Sequence, residues 1–211
     1  MPLLSLARRI DIAGQTTIRC RAYLDVFEFY QDPKTRRRIV DQMNEYIWFF
    51  RYEEHIYRFA FIIKLTGLFT KMKSRSTVNF HALAKDVRNK MKNDDWIELR
   101  DLIASATPTV DKIEIIRNSA FAHRSAELDL NEAFKAAGVT RNELKKLTEV
   151  ALDVVNRMAE AIGTSAVSFH SSETECHMRR MFQKLGSTFP ESQDAFDQLF
   201  DKPKATGRRK L

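Results

Sequence analysis

The chain has 211 residues, 44% hydrophobic and 30% charged, enough to bury one full core without disulfides or a structural metal. Six glycines and five prolines are too few for the many tight turns of a β-sandwich or barrel, and they exclude collagen and low-complexity disorder. Two cysteines, Cys20 and Cys176, make no disulfide framework, which predicts a reducing, cytoplasmic setting.

The net charge is +7, and its location matters more than its size. From Asp201 onward the chain carries Lys202, Lys204, Arg208, Arg209 and Lys210, so most of the excess sits in residues 201–211 and the rest is only mildly basic. Such a tail is ordinarily a solvated end, and it can also bind phosphate by charge alone. The first nine residues lack the basic-then-apolar order of a secretory signal. The greasiest stretch, 46–69, is broken by Arg51, Glu53, Glu54, Arg58 and Lys64. A bilayer span needs roughly 20 mostly apolar residues, so no membrane crossing is expected.

Periodicity is helical throughout, with no internal repeat and no alternating strand pattern. A first helix is expected over 16–30, with 3–13 as a helical lead-in interrupted at Gly14. Asp32-Pro33 stops it, and the charge run 34–38 reads as a solvated face. A second helix is expected over 41–69. Trp48, Tyr52, Ile56, Phe59 and Ile63 recur at helical steps there, while Phe50, Phe61 and Ile62 make it apolar on more than one side. That marks it as the central helix or a subunit contact as well. Residues 71–79 read as a loop, with Asn79 capping a third helix over 80–105. Thr107-Pro108 starts a fourth over 109–122, with Val110, Ile113, Ile116 and Ala120 inward. Asp129 opens a short helix closed by Gly138. Thr140 and Glu143 form a capping box for a fifth long helix over 141–162, burying Leu144, Leu147, Ala151, Val154, Met158 and Ile162. A further helix opens near Ser172 and ends near Gly186, and Pro190 begins a last short one.

No phosphate-binding glycine loop, paired-cysteine motif, zincin motif or nucleophile elbow is present. His170, Cys176 and His177 are close in sequence, but structural zinc sites usually show two spaced ligand pairs, so no metal is expected. His55, among aromatics on the second helix, reads as a partly buried, hydrogen-bonded histidine. The informative segment is 113–123, where an apolar helix ends in Arg117, Asn118 and, six residues after the arginine, His123. Six residues advance about 9 Å and turn about 240° beyond one full turn, so Arg117 and His123 do not share a helical face by spacing alone. His123 therefore sits at or past the helix end, or the pair works with groups from another chain. Arg75 and His81 have the same spacing but lack the adjacent amide and the preceding apolar helix.

Ile116-Arg117-Asn118 followed by Phe121-Ala122-His123 resembles the signature of the HEPN superfamily: an arginine, a polar residue, then a histidine four to six positions after the arginine. The aromatic second helix ending at Leu65-Thr66-Gly67-Leu68-Phe69, the Ser/Thr loop and Val78-Asn79-Phe80-His81-Ala82-Leu83 resemble its AbiU-type abortive-infection subgroup. The long helix after Thr140 falls where that subgroup places its last core helix. The resemblance covers roughly residues 15–162.

The resemblance implies an all-α, HEPN-like helical bundle over 1–162, with a helical C-terminal extension over 163–200 and a basic tail over 201–211. HEPN domains often form homodimers that bring two motifs into one cleft. Many are metal-independent ribonucleases acting as toxins or phage-defence effectors, and others are non-catalytic modules that bind nucleotide, RNA or a partner protein. One subgroup is silenced by a nucleotidyltransferase that modifies a tyrosine two residues after the motif histidine. Here that position is Ser125, which offers no phenol. RNA carries its own nucleophile, the 2′-OH, so neither metal nor cofactor is expected. In this reading His123 is the acid/base, Arg117 the phosphate clamp, Asn118 its orienter, and Arg124 an added RNA-backbone contact. The expected partners are a second copy, RNA and an antitoxin or other protein, with no membrane. The structural alternative pairs Arg117 with Glu114 or another acid and places His123 against helix-end carbonyls. A DNA-binding regulator using the basic tail ranks last, because no confident helix-turn-helix is visible.

Overall fold

The computed structural model describes residues 4–71, 78–122 and 130–187. All of the regular structure in these residues is helical. Helix α1 spans Leu6–Gln31, starting where the Ser5 hydroxyl accepts the Arg8 amide proton. It does not break at Gly14, as the sequence pattern had predicted, and the reason is packing rather than local preference. A side chain at Gly14 would put its Cβ 3.3 Å from a Val155 methyl and 3.5 Å from Val167. The glycine leaves room for Val155, on a later helix, to pack close against α1.

Asp32 ends α1 and caps α2 (Pro33–Glu45), its carboxylate accepting the Thr35 amide at 2.8 Å with Pro33 in the first turn. Lys34, Arg36 and Arg37 lie exposed on α2, so that charge run is a solvated face. The helix expected over 41–69 is divided at Tyr46, whose backbone (φ −111°, ψ 39°) leaves the helical region before α3 (Ile47–Phe69) begins. Just past that break Phe50 is buried in a second, aromatic cluster. Asn79 caps α4 (Phe80–Val87) by accepting the Ala82 amide at 2.9 Å. The helix expected over 80–105 is broken as well. A 3₁₀ turn, Arg88–Lys90, leads into α5 (Asn93–Ser105), with Met91 and Lys92 extended between them. Arg88 fastens this corner, donating to Asn93 and lying 5.5 Å over the Trp96 ring.

Next come α6 (Thr107–Ile116), with Pro108 in its first turn, and α7 (Leu130–Ala137), closed by Gly138 at φ 60°. Helix α8 (Arg141–Ala161) carries the full capping box, Thr140 and Glu143 exchanging hydrogen bonds. Leu144, Leu147, Ala151, Val154 and Met158 are buried along it. The main core lies among α1, α3, α4, α5, α6 and α8. A second, largely aromatic core joins α1, α2, α3 and α9 (Ser171–Lys184) through Phe29, Tyr30, Ile39, Phe50 and Phe182. None of these helices is long and apolar enough to cross a membrane, among the described residues.

Candidate functional site

Val110, Ile113 and Ile116 fasten α6 into the main core, all of them buried. Arg117 is the next residue, and at that point the helix changes type. Arg117–Ala122 form a π-helical turn, so the helix expected to run to residue 122 is regular only as far as Ile116. A π turn closes its hydrogen bonds one residue later than an α-helix, and such turns recur where side chains must be re-aimed at functional sites. The turn packs against α3, α6 and α7. From α6, Lys112 ties this region to α8, its ammonium 2.6 Å from Glu143 Oε1. That bond, with the Thr140 amide and hydroxyl, pulls the Glu143 carboxyl down to about 2.

Arg117 is half-buried and Asn118 exposed. The Asn118 side-chain oxygen accepts from Arg117 Nε at 3.1 Å and Nη2 at 3.0 Å. A carboxamide fixes the guanidinium without neutralising it. Among the described residues nothing else accepts from this guanidinium, whose planar fork matches phosphate oxygens. The acid three residues upstream is committed elsewhere: Glu114 Oε1 accepts from the Thr70 hydroxyl at 2.6 Å. Among the described residues no carboxylate lies within ion-pair distance of Arg117. His123 and Arg124 follow immediately after the π turn and lie outside the described residues, as do Asp129, Arg75, Pro190 and the tail 201–211.

One turn before Arg117, a small cleft of about 200 Å³ is lined by Thr70, Lys71, His81, Asp111 and Glu114 among others. Burial holds the His81 imidazole below the ordinary histidine value, with Lys71 and Lys85 pushing the same way against the hydrogen bond it makes to the Phe69 backbone. In sequence His81 shares the motif's spacing with Arg75 but not its adjacent amide or preceding apolar helix, and nothing there joins it to Glu114 on another helix. His55 corrects the sequence reading: it is exposed on α3, because the helix turns its other faces toward the core. On α9, Cys176 is buried and His177 exposed, so the two point apart, and His170 lies exposed beside Ser168. Among the described residues no three His, Cys, Asp or Glu side chains gather as a metal set. The Cys20 thiol is pushed up to about 12 by burial, against the nearby Lys64 charge, which makes it inert.

The family model described as HEPN AbiU2 matches residues 5–180 of the chain. The match begins just before α1 and ends within α9, extending past both ends of the stretch whose motifs carry the resemblance. No curated protein and no solved structure matches.

Proposed function

The chain belongs to the HEPN AbiU2 family, and on that premise we propose that it is a metal-independent endoribonuclease of a bacterial defence or toxin–antitoxin system. It acts in the cytoplasm as a homodimer, two copies each supplying Arg117 and His123 to one cleft. The observation that carries the reading is Arg117 at the head of a π turn, fixed by a neutral amide and with its charge uncompensated by any described acid.

The reaction uses what RNA and this chain bring. The 2′-oxygen attacks the adjacent phosphorus, forming the O2′–P bond while the P–O5′ bond breaks. The 2′-OH proton passes to the His123 imidazole of one copy, and the departing 5′-oxygen takes a proton from that of the other. Negative charge grows on the non-bridging oxygens at the pentacoordinate stage, where the Arg117 fork donates to it. Asn118 holds that fork in place and Arg124 adds affinity for the strand. Because the nucleophile belongs to the substrate, no metal-bound water is required.

The test is cleavage of end-labelled RNA in the presence of EDTA. The expected result is cleavage that persists with chelator, leaves 2′,3′-cyclic phosphate ends, and is lost in both His123→Ala and Arg117→Ala. A substrate with a 2′-deoxy sugar at the cut site is expected to survive. RNA binding without cleavage by the unaltered protein would instead identify a non-catalytic interaction module.

A further inference from the structure

Helix α3 leaves a strongly hydrophobic side in water. Trp48 is 69% exposed, Tyr52 59%, Phe49 and Ile56 58% each, and Phe59 41%. Trp48, Tyr52, Ile56 and Phe59 follow at steps of four, four and three, so they form one stripe along the helix. Tyr46 and Ile47 extend it at the start, also about half exposed. Trp48 and Tyr52 stack at 6.3 Å, and a shallow apolar groove runs beside them to Ile56 and Tyr57. The opposite face of the same helix, through Phe61, Ile62, Leu65 and Leu68, is fully committed to the core. A helix needs only one apolar face to fold onto its neighbours, so folding does not account for this second one.

We infer that this stripe is the face through which two copies of the chain associate, their α3 helices crossing antiparallel near Tyr52. The inference rests on the two-copy part of the reading above and on none of its chemistry. Three observations favour a second copy. The first is size. At their exposures Trp48, Phe49, Tyr52 and Phe59 leave roughly 340–570 Å² open, before Ile56, Tyr46 and Ile47 are added. The aromatics alone thus reach the upper part of the roughly 300–600 Å² that a lone subunit's largest patch covers, and the added residues bring the face toward the roughly 800 Å² per partner of a stable interface. The second is composition, since fully desolvated Trp and Tyr side chains dominate the energetics of protein interfaces. The third is shape. The stripe spans residues 46–59 with Tyr52 near its middle, so a two-fold axis there sets Trp48 of one copy toward the Ile56–Phe59 end of the other. The stripe is thereby self-complementary. The π turn packs on this same α3.

The test takes the full chain in sedimentation equilibrium, with Trp48→Glu and Tyr52→Glu as variants. Both side chains are exposed, so helicity by circular dichroism is expected to stay unchanged. The unaltered protein is expected to be a dimer, and each variant to dissociate roughly 30-fold or more readily. Cys20 and Cys176 are both buried, so an introduced surface cysteine can be read cleanly. Tyr52→Cys should form a disulfide-linked dimer on mild oxidation, while Ile115→Cys, exposed on α6, should not. A dimer that persists in Trp48→Glu overturns this face and leaves the shared cleft standing. A chain that stays monomeric at every concentration overturns both. Flotation of the unaltered protein, but not Trp48→Glu, with phosphatidylcholine–phosphatidylglycerol vesicles would also overturn it, assigning the stripe to a lipid surface.

Discussion

Arg117 and Asn118 are neighbours in sequence and partners in space: the amide oxygen of one takes two hydrogen bonds from the guanidinium of the other. Had the residue been aspartate, the same geometry would have produced an ion pair and withdrawn the positive charge from any phosphate. The choice of amide separates two roles, holding the group still and keeping it cationic.

That separation makes the pair testable. Asn118→Ala frees the guanidinium and is expected to lower single-turnover RNA cleavage about 10-fold with RNA affinity little changed. Asn118→Asp pairs the charge and should weaken RNA binding as well as cleavage, with a total loss of about 100-fold or more. Arg117→Lys keeps the charge but loses the fork, and is expected to cost about as much as Asn118→Asp in cleavage. Equal effects of Ala and Asp at 118 would show that the amide does not act through Arg117.

The Lys112–Glu143 contact beside this site predicts an acid-sensitive fold. Glu143 titrates near 4.5 in an unfolded chain and is held to about 2 in the folded one, first by the Lys112 hydrogen bond and then by the Thr140 amide and hydroxyl. Between those values the unfolded state binds a proton that the native state refuses. This carboxylate therefore contributes its full stabilisation above 4.5, and loses it as pH falls toward 2. Urea unfolding across that window should show a smaller pH slope in Glu143→Gln than in the unaltered chain. Thr140→Ala, which removes the cap itself, should cost about 1 kcal/mol at neutral pH.

Much of the fold was legible where local chemistry decides the outcome. Asn79, Pro108, Gly138 and the Thr140–Glu143 box all begin or end helices as their side chains dictate. What was not legible depends on distant partners. Gly14 looks like a helix breaker until Val155 and Val167 are placed against it. The break at Tyr46 has neither glycine nor proline to announce it, and it goes with the packing of Phe50 on Phe182, 132 residues downstream. The apolar spacing on α3 was visible, but sequence could not show which face met the core. At the site, the Arg117–Asn118 adjacency was plain, whereas the π turn that presents it has no distinctive residue signal. Thr70 engaging Glu114 likewise depends on two helices meeting.

Gly14 separates two opposed effects of a side chain. Alanine gains about 1 kcal/mol of helix propensity over glycine, but its Cβ would press on Val155 at 3.3 Å. Gly14→Ala is therefore expected to change stability by less than about 1 kcal/mol. Gly14→Leu has no room between α1 and α8, and overpacking should destabilise the chain by about 1–3 kcal/mol. Thermal unfolding of the two variants would decide, and a stabilised leucine variant would mean that the helices separate more easily than this packing allows.

Phe182 tests whether α9 belongs to the fold or merely leans on it. The side chain is fully buried, its ring 5.3 Å from Phe50, 6.0 Å from Phe29 and 6.2 Å from Tyr30. It thus joins α9 to α1 and α3 near the break where α2 gives way to α3. Deleting so large a buried ring costs about 3–5 kcal/mol when the cavity cannot collapse, and three aromatic walls supplied by two different helices resist collapse. Phe182→Ala is accordingly expected to lower the unfolding free energy by that amount in a single cooperative transition. If α9 were only an appendage, the same substitution would release it alone: hydrogen exchange would rise along residues 171–184 while α1 and α3 kept their protection. The break at Tyr46 adds a second readout, because loss of Phe182 removes the ring on which Phe50 packs. Faster exchange around residues 46–50 in Phe182→Ala is therefore the specific mark of an integral α9.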